Sequence, residues 1–364
     1  MTFPEKDTVS YKKWDKDYWP TKVLIIRFHA IGDIAAALPA CNGLRELFPD
    51  AQIDFLTSDY CEGLPNTTEI FDNVYTLEMY YPAIESSSAI KKIFLKSKIK
   101  ANTVKLAREL KKNSYDIIID LQHNRNSRII KKIIKPQYFC EFDRYSPRAH
   151  STRVLETFRR AGFNNLKADF DINIKSDLMI KAKKILTENG WDGNKKLIVL
   201  NPAGLWITRN WEIENYIRLG KLLLEKNNVQ LLVIGDSRID EKAIYLKQLL
   251  AENLINLTSK TSLSEAFALF KFCALVISED SALVHMAWAL GVSTILMLGS
   301  TRSDWTCHEG KHIICLNSSD LECGNCMQPF CKFGDVHCLT RYTPELIYER
   351  AVTFLENNTA LRNL

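Results

Sequence analysis

Short runs of β-branched and apolar residues alternate with helical patterns along this chain, and they do so in two sets. Val23–Ile26, Ile53–Leu56 and Tyr115–Leu121 form the first set; Leu197–Asn201, Leu231–Ile234, Leu275–Ile277 and Thr294–Leu298 form the second. Continuous apolar runs suit strands covered on both faces, and the helical stretches between them supply the crossovers of a parallel sheet. The pattern predicts an α/β protein with two doubly wound parallel-sheet domains. At 364 residues the chain is long enough for two cores of ordinary size. Between the sets lies Ala161 to Leu178, with the alternating run Phe170–Ile174 read as a strand. The boundary is therefore expected near residue 170, giving an N-terminal domain over 1–170 and a C-terminal domain over 171–364. Thr343-Pro344-Glu345 reads as a helix start with Pro at the first position, and apolar residues follow at helical spacing to Leu355. This last helix is expected to be able to pack back onto the first domain.

No apolar run reaches 18 residues, which argues for a soluble globular chain. The N-terminal stretch is charged and aromatic without an apolar core, so it does not read as a secretory signal, and a cytoplasmic location is expected. The net charge of +5 is modest but unevenly spread. Lys91, Lys92, Lys96, Lys98, Lys100, Lys105, Arg108, Lys111 and Lys112 face a lone Glu109, and Arg125, Arg128, Lys131, Lys132 and Lys135 follow. The simpler reading is a solvated helix face; the functional one is a surface that meets anionic lipid headgroups or a phosphorylated acceptor. Nucleic acid is not an expected partner, because no nucleic-acid-binding motif accompanies the charge.

In open α/β sheets ligands bind at the carboxyl ends of the strands. The first such edge is Lys22 to Ala40, where a strand ends at Arg27, a short loop holds Gly32-Asp33, and an Ala-rich helix begins. One glycine in the loop is not a dinucleotide fingerprint, and no Gly-Lys-Ser/Thr makes it a P-loop. Asp33 is left with two readings, a cap on the following helix or a carboxylate for chemistry.

The second half repeats this logic. Leu275–His285 is a strand, a polar turn at Asp280-Ser281, and a helix whose N-terminal amides and dipole suit a diphosphate. Ser281 adds a hydroxyl, and His285, one turn on, is placed to reach the same anion. Asn201–Trp211 leaves its strand through a Pro/Gly loop and delivers Arg209 between two tryptophans. Stacking on indole accounts for such an arginine at little gain; beside a helix-dipole site it is a natural partner for phosphate oxygens. Gly235-Asp236-Ser237 forms a third loop, followed by Asp240 and Glu241 as candidates for sugar hydroxyls. Three loops at one edge point to a nucleotide-sugar donor, with the acidic loop of the other domain facing it across a cleft.

These residues resemble the ADP-heptose:lipopolysaccharide heptosyltransferases, glycosyltransferase family 9. The resemblance rests on R-x4-GD at Arg27–Asp33, YDIIIDLQHNRNS at Tyr115–Ser127, NPAGLWITRNW at Asn201–Trp211 and EDSALVHMAWALGVSTILMLGST at Glu279–Thr301. It implies a GT-B fold and inverting transfer of a heptose or related sugar from an ADP-sugar to a cell-envelope glycan such as lipopolysaccharide core. Asp33 would be the general base, and Arg209, where the family usually has Lys, would hold the donor pyrophosphate. Asp280 would contact the donor heptose, and Ser281, Ala282 and His285 would form the phosphate-binding helix start. Thr208, Gly235 and Glu241 complete the expected donor-binding set. A phosphorylated glycolipid acceptor, at the inner face of the cytoplasmic membrane, goes with that activity. No cofactor is expected for catalysis. Ala282 stands where the family commonly has Gly, and Ser300-Thr301-Arg302-Ser303 departs from the usual Pro-Thr-Asp-Pro, which bears on the base or sugar bound. The alternatives are a relative using another nucleotide sugar or a protein acceptor, a nucleotide-sugar epimerase of similar architecture, or a non-catalytic nucleotide-sugar-binding module.

Ten cysteines remain. Cys41, Cys61, Cys140, Cys273, Cys307 and Cys315 are scattered and read as reduced thiols. Cys323, Cys326, Cys331 and Cys338, with His337 adjacent, are clustered; this set suits a structural zinc or iron, or reduced thiols.

Overall fold

The apolar runs become the central strands of two six-stranded sheets. The computed structural model describes residues 8–79, 88–204, 206–226 and 228–362, and the chain divides into the units Met1–Asn173 and Ile174–Leu364. The first unit contains β1 (Tyr11–Lys12), β2 (Lys22–Ile26), β3 (Gln52–Ser58), β4 (Asn73–Leu77), β5 (Ile117–Asp120) and β6 (Tyr138–Glu141). Their order is β1-β6-β5-β2-β3-β4, parallel throughout except for β1 against β6. The second unit contains β7 (Lys196–Asn201), β8 (Val229–Val233), β9 (Leu254–Asn256), β10 (Cys273–Glu279), β11 (Ser293–Met297) and β12 (Ile313–Leu316). Their order is β12-β11-β10-β7-β8-β9, all parallel.

In both sheets the parallel strands wind outward in two directions from a central strand. In the first, β2 lies between β3 and β5; in the second, β7 lies between β8 and β10. Such a reversal opens a crevice at the carboxyl ends of the two strands beside it. The loops after β2 and β5, and those after β7 and β10, therefore border the two crevices. The central position of β2 follows from its sequence, since Val23, Leu24, Ile25 and Ile26 are all fully buried.

Two expectations need correction. Phe170–Ile174 is not a strand; only Ile174 makes an isolated bridge. The stretch before it lies along the helix Ile31–Leu47, where Asp169 N–H donates to Pro39 O at 2.8 Å and Asn42 Nδ2 to Asp169 Oδ2 at 2.7 Å. A Cβ on Gly43 would lie 1.9 Å from Lys167 O, so this close approach requires glycine there. The last helix, Pro344–Arg362, places Ile347, Ala351, Phe354 and Leu355 in the core of the second unit. Finally, Cys307 and Cys315 are joined as a disulfide with Cα atoms 5.8 Å apart, a separation that permits the bond. Cys41, Cys61, Cys140 and Cys273 are buried free thiols.

Candidate active site

Arg27 ends the apolar run of β2 and is itself buried. Its guanidinium donates to Leu121 O at 2.5 Å and pairs with the Asp33 carboxylate. Asp33 lies in the first turn of the helix Ile31–Leu47, and its Oδ2 also accepts from Ala30 N–H at 3.2 Å. The two readings of this carboxylate are thus compatible: it closes the helix start, yet 37% of its side chain is exposed. Its other oxygen lies 3.5 Å from His150 Nε2. The surrounding protein atoms oppose ionisation, but Arg27, His150 and the Ala30 N–H outweigh them and hold the Asp33 carboxyl far below the usual range. Asp33 is therefore an ionised carboxylate at any working pH. Gln122, after β5, fixes the loop by accepting from Phe28 N–H at 2.8 Å and His29 N–H at 3.2 Å.

In the second unit one buried carboxylate organises the donor loop. Glu279, the last residue of β10, accepts from Gly204 N–H at 2.9 Å and from Trp211 N–H at 2.6 Å, so both ends of the loop carrying Arg209 are clamped to it. Burial pushes its carboxyl up to about 7, opposed by those two N–H groups and by Lys242. Lys242 Nζ donates to Pro202 O at 3.0 Å and Asn210 Oδ1 at 2.7 Å, which holds the loop from its other side. Gly204 is needed for the turn, because a Cβ there would meet Arg209 O at 2.1 Å.

The clamp delivers Arg209 to a fixed place. Its guanidinium lies 4.0 Å from the Trp206 ring centre, with Nη1 3.0 Å from Asp280 Oδ2. Burial lowers its pKa while Asp280 raises it, and an arginine so shifted stays charged. Its Nε is buried without a hydrogen-bond partner among the described residues. Asp280 also accepts from Thr301 Oγ1 at 2.9 Å and lies 3.6 Å from His285 Nε2. Burial would raise its pKa, but His285, Arg209 and Thr301 bring it below the usual value. His285 Nδ1 is in turn 2.7 Å from His308 Nε2.

Ser281 is the N-cap of the helix Ala282–Ala289 without capping it. Its hydroxyl instead accepts from Asn201 Nδ2 at 2.8 Å, which leaves the first-turn amides of the helix uncapped by this side chain.

The structure thus brings Arg209, Asp280, Ser281, Ala282 and His285 together at the switch point of the second sheet. Thr208 is next to them but its hydroxyl is committed, donating to Gln328 O at 2.6 Å and lying 2.9 Å from Ser300 Oγ. Gly235 follows β8, where a Cβ would meet only the Ile239 side chain, at 2.5 Å. Glu241 is exposed on the helix Asp240–Leu250 and is not brought to the Arg209–Asp280 group; its neighbour Lys242 reaches the loop. Arg27, His150, Glu279 and Lys242 are the residues that sequence reasoning missed. Arg27 and Glu279 are signalled by charges placed at the ends of apolar runs and by the motifs that they open, but not with a role.

Cys323, Cys326, Cys331, Cys338 and His337 line a cavity of about 150 Å³, shared with Thr208 and Ser300. Cys323 Sγ is 3.2 Å from His337 Nε2, and burial with the neighbouring thiols pushes Cys338 up to about 11. Among the described residues, no three His, Cys, Asp or Glu side chains are grouped so as to hold a metal ion. The cysteine loop nevertheless braces the donor loop: Met327 N–H donates to Ser300 O at 2.8 Å, and Arg209 Nη2 is 3.7 Å from Met327 Sδ.

Two doubly wound sheets with charged loops at their switch points do not by themselves fix an activity, and comparison with known proteins specifies the class. Residues 103–337 match glycosyltransferase family 9 (heptosyltransferase), and the chain belongs to that family. It is 25% identical over 348 residues to lipooligosaccharide heptosyltransferase 2 of Campylobacter jejuni, covering 90% of this chain and 96% of that one. Among solved structures, a glycosyltransferase family 9 protein of Veillonella parvula superposes with a TM-score of 0.77 at 17% identity, over 95% of this chain and 100% of that one. ADP-heptose lipopolysaccharide heptosyltransferase II of E. coli does so with a TM-score of 0.68 at 16% identity, over 93% and 99%.

Proposed function

We propose that this glycosyltransferase moves a heptose, with inversion, from ADP-heptose to a hydroxyl of a lipopolysaccharide-core type glycan. Family membership and the activities named for its relatives support the reading. The observation that carries it is the placing of the Arg209 guanidinium, held by Asp280, beside an uncapped helix start at one switch point. In this reading the two units form a GT-B pair, the second holding the donor and the first presenting Asp33 to the acceptor. The acceptor oxygen forms its bond to the anomeric carbon as the bond to the diphosphate breaks, and ADP leaves with the electron pair. Arg209 and the amides of Ala282–Ala289 stabilise the charge that develops on the diphosphate. Asp33, already ionised, takes the acceptor proton. Asp280 orients Arg209 from one side and the donor sugar from the other.

The acceptor in this reading is a phosphorylated, lipid-anchored saccharide met at the cytoplasmic face of an anionic membrane. The metal reading of the cysteine loop, a structural zinc or iron on Cys323, Cys326, Cys331 and Cys338 rather than four reduced thiols, is supported by four thiols lining one cavity and opposed by the lack of any three of them grouped as ligands; such an ion would supply loop stability and no step of transfer. Metal analysis of freshly purified protein tests this, and absence of both zinc and iron ends it. The donor assignment is tested by thermal stabilisation across nucleotide sugars. ADP-heptose should raise the melting temperature most, and a larger shift with a UDP- or GDP-sugar would refute it.

A further inference from the structure

The helix Ala89–Leu110 has two apolar faces, and the fold uses one of them. Leu95, Ile99, Thr103, Ala107 and Leu110 are buried in the first unit. On the opposite side Ile90, Ile93 and Phe94 are 83%, 71% and 67% exposed. At about 100° per residue, Ser97, Ala101 and Val104 continue that outward stripe along the helix. Lys98 and Lys105 border it on one side and Lys96 and Lys100 on the other, all four exposed, and Glu109 is the only acid on the helix. Solvation explains the lysines but not three large apolar side chains exposed together within five residues.

We propose that this outward face docks on an anionic bilayer, with Ile90, Ile93 and Phe94 entering the acyl boundary and the flanking lysines at the headgroups. Among the described residues no helix is long and apolar enough to cross a membrane, so the helix would lie in the interface plane. Its 22 residues give it a length of about 33 Å along that plane. Charge decides against a second copy of the chain. In a two-fold contact the same lysine-bordered stripe would meet itself, placing like charges on both sides. A bilayer with anionic headgroups complements the lysines and the apolar stripe together. The proposal deepens the reading of the acceptor as lipid-anchored and rests on it for its purpose, although the docking itself requires neither donor nor acceptor.

The test is sedimentation of the full chain with vesicles of phosphatidylglycerol and phosphatidylcholine, and with phosphatidylcholine alone, with no sugar substrate present. Binding is expected to the anionic vesicles only and to weaken with salt. The double substitution Ile93→Glu, Phe94→Glu should lower partitioning tenfold or more, and Lys98→Gln and Lys105→Gln by about fivefold each. Melting curves and thermal stabilisation by ADP-heptose serve as controls and should be unchanged, since the substituted side chains point away from the core. Equal vesicle binding by wild type and the double variant overturns the proposal. So does equal binding to phosphatidylcholine, or a lipid-free dimer that the double variant dissociates. Docking without transfer to a lipid-anchored saccharide would instead leave this proposal standing and refute the functional reading.

Discussion

Glu279→Gln separates the cost of burying a charge from the value of the clamp that carbon-for-carbon replacement leaves half intact. The carboxyl titrates at about 7 in the folded chain against an ordinary value of 4.5. The folded state therefore binds this proton more tightly than the unfolded state. Stability from the group is complete below pH 4.5 and is lost as pH rises through 7. Integrated from pH 5 to pH 8, the loss is about 2–3 kcal/mol. Gln has no charge to bury, so that pH dependence disappears in the variant. At pH 5 the wild-type carboxyl is protonated, yet its hydroxyl oxygen still carries a lone pair for the second N–H; the Gln amide oxygen can accept from only one of Gly204 N–H and Trp211 N–H, and its NH₂, which accepts nothing, must face the other. One buried N–H left unpaired costs about 1–3 kcal/mol. The variant should thus be less stable than wild type by about 1–3 kcal/mol at pH 5 and close to it at pH 8. Urea unfolding of the full chain at both pH values, with the second-unit transition followed by tryptophan fluorescence, measures the difference. A gap between the two proteins that is the same at pH 5 and pH 8 would refute the reasoning.

Gly204→Ala places a Cβ against Arg209 O, 2.1 Å away in the present geometry, and the loop must move. ADP-heptose affinity should fall about tenfold or more, as expected for displacing a charged hydrogen-bond donor, while the melting of the first unit is unchanged; unaltered affinity would show that the loop does not set Arg209. Arg27→Met removes the main cation that depresses the Asp33 carboxyl, so that its pKa rises toward the ordinary range. Followed down to about pH 3.5, wild type should show no acid limb from Asp33, whereas the variant should lose rate as pH falls through the restored pKa; superimposable pH–rate profiles over that acid range would exclude the coupling. Arg209→Met should weaken ADP-heptose binding by about 10- to 100-fold without moving the pH profile, as titration calorimetry and initial rates can establish.

The central strands and the loops that carry the sites were legible because both have local signals. A strand covered on both faces has to be apolar throughout, as Val23–Ile26 and Leu275–Ile277 are, and a charged or glycine-containing turn must follow it. Edge strands carry weaker signals: Asn73–Leu77 is half exposed and mixed in polarity, and Ile313–Leu316, though apolar, is only four residues long. Phe170–Ile174 alternates as a strand would, but its neighbours' polar groups bond to the helix Ile31–Leu47, a long-range choice the alternation does not encode. The same limit applies at the sites. Asp33 and Arg209 announce themselves by position, whereas His150 is set beside Asp33 by the fold, and the role of Glu279 depends on two backbone N–H groups in a loop from another strand. Lys242 was overlooked for Glu241, one residue away, because sequence does not say which of two neighbours on a helix turns inward.

The central claim divides the labour, with Asp33 acting on the acceptor and the second unit holding the donor. Asp33→Asn tests it most directly, by measuring single-turnover transfer from ADP-heptose to a lipopolysaccharide-core acceptor together with ADP-heptose affinity. The account predicts donor affinity within about twofold of wild type and transfer lowered by about 10²- to 10⁴-fold, the range for loss of a general base. Transfer within tenfold of wild type, or a loss of donor affinity as large as the loss of rate, would contradict it.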